Sequence, residues 1–188
     1  ILISVVTSFF LSHDFIHNSV FHLIGFIFLL LNLKKITINE LKICAVVYIL
    51  LLVGIYIFKN HDDFPYYHLT YSLNLSENSF LIGTGAFSHG FRTPSSLFYF
   101  HSLLYMPNIK FYLFHSGPFY ILYFFNLTII FDIYKKIKYK NFDLTYYLGL
   151  SCLIFVNIVF YRLSEHGTDR SSQILLVLIF IVFFEILF

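Results

Sequence analysis

Long apolar runs separated by polar segments make up most of this 188-residue chain. A bilayer core of about 30 Å takes roughly 20 residues of helix, which gives a length against which each run can be compared. The candidate spans are residues 1–11, 19–33, 41–58, 111–133, 144–161 and 174–188. Residues 1–11 are too few to cross a bilayer and are predicted to be part of a truncated span. Residues 19–33 reach full length only if Phe15 and Ile16 extend the helix. The pattern predicts an all-α fold, a polytopic bundle of transmembrane helices.

The polar segments lie between these runs. The longer one, residues 59–109, is predicted to be an external loop, and residues 162–172 form a second one. Within the long loop, apolar residues at positions 64, 67, 71 and 75 follow a helical period, which predicts an amphipathic helix on the membrane surface. Residues 95–107 are apolar but half a bilayer long, so an interfacial or re-entrant helix is predicted there.

Composition supports a membrane protein. With 59% apolar, 22% aromatic and 12% charged residues, a water-soluble fold would expose large apolar patches. The whole chain, residues 1–188, is predicted to be one membrane domain and a fragment of a longer protein, because both ends fall in apolar runs. Cys44 and Cys152 lie inside apolar runs and are predicted to be packing residues. No basic patch with interleaved aromatic residues suggests nucleic acid as a partner.

Lysines indicate the orientation. One cluster comprises Lys34, Lys35 and Lys42, and four more lysines fall at residues 135–140. Positive loops stay cytoplasmic, so both clusters are predicted to face the cytoplasm and both polar segments the outside. Six histidines fall on the predicted external side: His13, His17, His61, His68, His89 and His166.

Asp62 and Asp63 are the first candidates for chemistry. One explanation of Asp63 is purely structural: as a helix N-cap followed by Pro65, it would have no chemical role. That explanation covers one carboxylate, whereas adjacent carboxylates repel each other and raise each other's pKa unless a cation or donor compensates. A general base or a metal ligand is the alternative hypothesis.

Two further residues of the long loop are candidates for substrate binding. His68 is either a ligand or proton carrier, or an interfacial histidine that points at water. Arg92 follows three loop glycines, and a guanidinium in an external loop suits the paired hydrogen bonds of a phosphate. The glycines lack the strand and helix of a phosphate-binding loop and predict only tight turns.

The second polar segment holds four charged or titratable residues, Glu165, His166, Asp169 and Arg170. A salt-bridged surface loop is one interpretation. The other is a functional site, because Asp169 stands close to an apolar run, where ionisable groups are costly. Glu185, inside the last run, raises the same question.

A resemblance can be drawn from this order of features. An acidic pair after a span, a Tyr- and His-bearing amphipathic helix, and the segment RTPSSLFYFHSLLY before a crossing span are similar to the first external loop of polyprenyl-phosphate-sugar glycosyltransferases of the GT-C superfamily. The segments HDDFPYYHL, HGFRTPSSLFY and EHGTDRSSQIL also resemble sequences of a set of multi-pass bacterial membrane proteins that are distantly related to these enzymes. The chain departs from the family in having one proline, Pro94, where a pair is usual, and in having spans before the acidic loop.

The resemblance implies a function. The chain would transfer a sugar from a polyprenyl-phosphate donor to a cell-envelope acceptor on the external face of the bacterial inner membrane. Asp62 or Asp63 would be the catalytic base, and His68, Arg92, His166 and Arg170 would bind substrate. Asp169 and Glu165 would contact a divalent cation, for which Mg²⁺ and Mn²⁺ are the candidates. Membrane lipids and the lipid-linked sugar donor are the expected partners.

Two other classes of protein remain open. In a transporter or flippase of envelope precursors, Glu185 would belong to a translocation path. In a structural membrane subunit, the loops would bind a partner protein. A transporter should place its ionisable groups near the bilayer midplane, whereas most of those in this chain fall in or beside the predicted external loops.

Overall fold

The computed structural model describes residues 1–55, 62–161 and 168–187. These residues form eight α-helices joined by turns and short 3₁₀ segments, and no β-strand is among them. The helices are α1 (Leu2–Ser8), α2 (Phe15–Asn32), α3 (Ile38–Ile55), α4 (Leu69–Glu77), α5 (Ser96–Ser102), α6 (Gly117–Tyr139), α7 (Leu144–Val159) and α8 (Asp169–Leu187). The predicted all-α fold is confirmed for this part of the chain.

Among the described residues, four helical segments are long and apolar enough to cross a membrane. They are Phe15–Lys35, Ile38–Ile55, Phe111–Tyr139 and Asp169–Leu187. Helix α7 is apolar but has only 16 residues, about 24 Å of helix, so it is shorter than the predicted span over residues 144–161. These segments agree with an integral membrane protein.

Local sequence signals explain where these helices begin. Helix α2 starts at Phe15 because the Asp14 side chain accepts hydrogen bonds from the amides of Ile16 and His17, at 3.0 and 2.9 Å. The extension of this span through Phe15 and Ile16 is therefore confirmed. Helix α8 begins at Asp169, so residues 169–172 are helical and do not belong to a loop.

The lysine clusters lie differently from the prediction. Lys42 is inside α3, and Lys135, Lys136 and Lys138 are in the last turns of α6, where loops were expected. Lysine is a good helix former and is favourable at a helix C-terminus, so the helix continues through this cluster.

Backbone contacts divide the chain into two units. Within the described residues, unit 1 comprises residues 1–37 and 62–117 with Thr168, and unit 2 comprises residues 38–55, 118–161 and 169–187. Unit 1 holds the long polar loop together with α1 and α2, and unit 2 holds the other long helices.

The core of unit 1 is aromatic. Tyr71 and Leu75 of α4 pack against Phe98 and Tyr99 of α5, and all four are at most 5% exposed. Positions 71 and 75 of the predicted stripe thus share one face of α4, whereas positions 64 and 67 belong to a π-helical turn before it. This face of α4 packs against α5 and does not lie on the membrane surface as predicted. Helix α5 begins after the Ser95 cap and has only seven residues, which confirms a short helix within residues 95–107.

Unit 2 is joined by polar contacts between apolar helices. Asn126 of α6 and Asn157 of α7 exchange side-chain hydrogen bonds of 3.2 and 2.7 Å. The Tyr123 hydroxyl donates to the carbonyl of Cys44 in α3 at 3.1 Å. Interhelical hydrogen bonds of this kind are a common means of helix association in membranes.

Candidate ligand-binding site

The acidic pair stands at the start of the described part of the long loop. Asp62 is exposed and Asp63 is half-buried at the N-cap of a π-helical turn, Phe64–His68, with Pro65 in that turn. The carboxylate of Asp63 does not cap the backbone; it accepts a hydrogen bond from the Tyr67 hydroxyl at 3.1 Å. The N-cap position is therefore confirmed, while the carboxylate itself is directed to a side chain.

Tyr67 connects this acidic turn to the glycine-containing loop. Its ring lies directly against Gly90, so close that a Cβ at this position would overlap the ring. Glycine is required here for the close approach of the backbone. Asp63 thus contacts Tyr67, and Tyr67 contacts Gly90. Gly90 stands two residues before Arg92 in the chain.

An open cavity of about 370 Å³ lies at that loop. Its wall consists of residues 81–85, Phe80, Tyr71, Phe91, Arg92 and Pro94. Arg92 is exposed, and its Nε donates to the carbonyl of Gly85 at 3.3 Å. Gly85 itself packs close to Arg92, since a Cβ there would stand 3.2 Å from the Arg92 Cα. The contact with Gly85 holds the start of the guanidinium at the cavity rim.

The inner wall of the cavity rests on the core of unit 1. The Tyr71 and Tyr99 hydroxyls are hydrogen-bonded at 3.0 Å, and the Tyr71 ring packs on Phe91 and Phe98. Burial, with the hydrogen bond to Tyr99, raises the pKa of Tyr71 far above its usual range. Tyr71 is therefore a neutral, rigid aromatic wall.

His68 lies elsewhere in unit 1. It is only 2% exposed, with its ring 5.2 Å from that of Phe98. The interpretation as an interfacial histidine that points at water is therefore wrong. The sequence pattern contained a reason for this burial. His68 lies three residues before Tyr71, a helical spacing that places both side chains on the buried face.

A second buried histidine, His101 of α5, was not singled out from the sequence. It is fully buried and packs against Gly117, and a Cβ on that glycine would overlap the imidazole. Burial, with the neighbouring His68 and His115, lowers the pKa of His101 to about 3. His101 is neutral in the folded protein at physiological pH.

A third polar centre surrounds the start of α2. His13 is fully buried, and its Nδ1 hydrogen-bonds to the Ser102 hydroxyl at 2.6 Å. Burial, with the nearby His17, lowers the pKa of His13 to about 4. Asn18, also fully buried, donates to the carbonyls of His13, Ser102 and Tyr105. His13 was expected on an external titratable face, and its burial among these groups corrects that expectation.

The second polar segment is described only from Thr168 onward. Asp169 is exposed and Arg170 half-buried in the first turn of α8, whereas Glu165 and His166 fall outside the described residues. Asp169 and Arg170 belong to unit 2, and Asp62, Asp63 and Arg92 belong to unit 1. A shared cavity of these residues stays a prediction. In the described ranges, no group of three or more His, Cys, Asp or Glu side chains is placed to hold a metal ion.

Glu185 belongs to a charge cluster within unit 2. Lys136 forms ion pairs with Asp132, Asp143 and Glu185, at 3.0, 3.6 and 3.2 Å, and hydrogen-bonds to Thr145. Hydrogen bonds from Thr145 and from the Tyr146 amide lower the pKa of Asp143. The cluster connects the ends of α6, α7 and α8, and no local sequence signal linked Glu185 to a lysine 49 positions earlier.

Comparison with known proteins adds no family assignment. The sequence matches no protein family, and neither a curated protein nor a solved structure matches it significantly.

Proposed function

We propose that this chain is a membrane glycosyltransferase-like protein, and that the cavity beside Arg92 binds the phosphate-linked sugar of a polyprenyl donor. One observation carries the proposal: an exposed guanidinium stands at the rim of an aromatic-walled cavity, and the Tyr67–Gly90 contact joins that rim to Asp63. The proposal places this site on the external face of the membrane.

The cavity suits such a ligand in size and chemistry. Its volume of about 370 Å³ falls in the range of roughly 300–1,000 Å³ found for small-molecule sites. Aromatic rings such as Phe80 and Phe91 offer flat apolar surface to the C–H face of a sugar. A guanidinium binds phosphate oxygens by paired, charge-assisted hydrogen bonds.

The acidic pair would supply the base. An acceptor hydroxyl is a weak nucleophile, and a carboxylate aligned with it contributes about 10²–10⁴-fold as a general base. Asp62 is exposed and able to meet an acceptor, whereas Asp63 is held by the Tyr67 hydroxyl. Of the two, Asp62 is therefore our choice for the base, and Asp63 positions the turn that carries it. A cation or arginine would stabilise the charge that develops on the departing phosphate.

The test measures sugar transfer from polyprenyl-phosphate donors by the full-length protein in membranes. Asp62→Asn should lower turnover by about 10²-fold or more, the contribution of a general base. Arg92→Gln should weaken donor binding, and so raise the donor concentration needed for half-maximal rate. Lys110→Gln is the matched control, because Lys110 is another exposed cation of unit 1 and does not line the cavity.

Tyr67→Phe separates positioning from catalysis. It removes the hydroxyl that binds Asp63 and keeps the ring against Gly90. If Asp63 acts only through the turn, Tyr67→Phe and Asp63→Asn should have similar, moderate effects. Wild-type transfer by both Asp62→Asn and Asp63→Asn would end the proposal.

The transport alternative receives no comparable support. It relied on Glu185 in a translocation path, and this carboxylate is ion-paired with Lys136 near the end of its helix.

A further inference from the structure

Two apolar side chains of unit 1 are almost completely exposed. Ile82 is 93% exposed and Phe87 is 91% exposed, both in the loop that follows α4. Gly83, with φ of +89°, makes the turn directly after Ile82, and a short 3₁₀ segment, Thr84–Ala86, leads to Phe87. An ordered turn therefore presents both side chains outward. Exposed apolar surface of this kind marks interaction sites.

The apolar surface continues onto the end of α1. The Phe80 amide donates to the carbonyl of Ser8 at 2.7 Å, and the Phe80 ring lies 4.9 Å from that of Phe9. Phe10, the next residue, is 78% exposed. The loop and the end of α1 thus form one apolar edge, which we call the apolar edge of unit 1: Phe9, Phe10, Ile82 and Phe87.

This loop does not cross a bilayer. Its backbone is irregular, and irregular backbone facing lipid would leave amides and carbonyls without partners in hydrocarbon. Its side chains alone can enter a membrane, at the depth of the headgroups and the first acyl carbons.

Unit 1 is fixed to a membrane-length helix of its own. Asn18, in the first turn of α2, binds the carbonyls of Ser102 and Tyr105, and His22, one turn further, contacts the carbonyl of Leu103 at 2.9 Å. In the apolar window of the span that contains α2, only 6% of the residues are buried. The folded loop is therefore held beside the end at which α2 enters the bilayer.

The charge of the loop also suits a lipid surface. No Asp or Glu occurs between Glu77 and Asp132, and the cations in that stretch are Arg92 and Lys110. Nothing in it repels lipid phosphates, and basic side chains near a membrane surface are attracted to anionic lipids.

We propose that the apolar edge of unit 1 is a membrane-docking surface, and that Ile82 and Phe87 insert into the headgroup region of the leaflet at the N-terminal end of α2. The proposal is independent of the glycosyltransferase function. Its occupant is a phospholipid surface.

Tryptophan fluorescence tests this insertion directly, because the chain contains no tryptophan. Single variants Ile82→Trp and Phe87→Trp are made in the full chain and reconstituted in bilayers of phosphatidylcholine and phosphatidylglycerol. Two further variants calibrate the tryptophan emission and its quenching. Phe124→Trp places the indole at an exposed position of the membrane-length helix α6, and Asn78→Trp places it at an exposed polar position after α4.

Quenching then reports the depth. At positions 82 and 87 we expect emission blue-shifted from that of Asn78→Trp, quenching by lipids brominated near the headgroup, and little quenching by aqueous iodide. Phe124→Trp should be quenched best by lipids brominated deep in the chain.

Two results would overturn the proposal. Iodide quenching equal to that of Asn78→Trp would show that the edge faces water. Protection from both iodide and brominated lipid would show that a protein covers it.

Discussion

Asn18→Leu tests how unit 1 is joined to α2. The Asn18 amide nitrogen lies 2.8, 2.8 and 2.9 Å from the carbonyl oxygens of His13, Ser102 and Tyr105. The Ser102 carbonyl is at the end of α5 and also accepts from the Tyr105 amide at 3.1 Å, and the Tyr105 carbonyl lies three residues beyond the helix. Leucine has the same branching and the same number of side-chain heavy atoms but no donor, so the substitution removes the hydrogen bonds and keeps the branched shape.

The expected loss in the free energy of unfolding follows from the hydrogen bonds that the two amide hydrogens of Asn18 make. In a soluble protein each orphaned buried carbonyl costs about 1–3 kcal/mol. In membranes the average interhelical hydrogen bond is worth about 0.6 kcal/mol, because the unfolded state also finds partners. Asn18 is fully buried in the first turn of a membrane-length helix, so we expect a loss of about 1–4 kcal/mol in the free energy of unfolding.

Thermal unfolding of the protein in a mild detergent measures this loss as a lower melting temperature. Asn32→Leu is the matched control on the same helix, because Asn32 is half-buried and bonds only locally: it donates to the carbonyl of Phe28 and accepts from Lys35. Its effect should stay within about 0.5 kcal/mol. The reasoning is refuted if Asn18→Leu is as stable as Asn32→Leu.

Two further predictions concern the buried histidines. The pKa of His13 falls from 6.5 to about 4 on folding and that of His101 to about 3, so the unfolded chain binds more protons below pH 6.5. The stability they contribute is complete above pH 6.5 and is lost as the pH falls towards those lower values; for His13 alone the loss from pH 7 to 5 is about 2 kcal/mol. Melting temperatures across this range should fall less steeply in His13→Gln, and identical slopes would contradict the assignment. Gly117→Ala should destabilise by about 1–3 kcal/mol, because the new methyl group overlaps the His101 ring. Gly25→Ala, whose Cβ would meet nothing within 4 Å, is its control, and equal melting temperatures for the two variants would argue against the close packing.

Local periodicity and capping were sufficient for much of the secondary structure. The apolar run after Asp14 gives a membrane-length helix because a carboxylate cap and a largely apolar segment of 21 residues need no distant partner. The stripe through Tyr71 and Leu75 likewise predicted a helix with one apolar face. For residues 95–107, the short helix is confirmed, and its depth in the membrane stays a prediction.

Side-chain environments were set by contacts between residues far apart in the chain. His13 hydrogen-bonds to Ser102, 89 positions later, and Lys136 pairs with Glu185, 49 positions later. No sequence window contains both members of such a pair, so the sequence predicted an open external face for His13 and no partner for Glu185.

The sequence by itself therefore predicted a membrane environment and the approximate positions of the long helices, since an apolar run of about 20 residues has the length of a bilayer core when helical. Only the tertiary structure decided which polar groups are buried and which meet at a cavity. Asp63 lies near the loop of Arg92 because the Tyr67 ring packs on Gly90, a contact that depends on how α4 and the following loop fold together. The glycosyltransferase resemblance and the roles it implies stay predictions, to be decided by the transfer experiment.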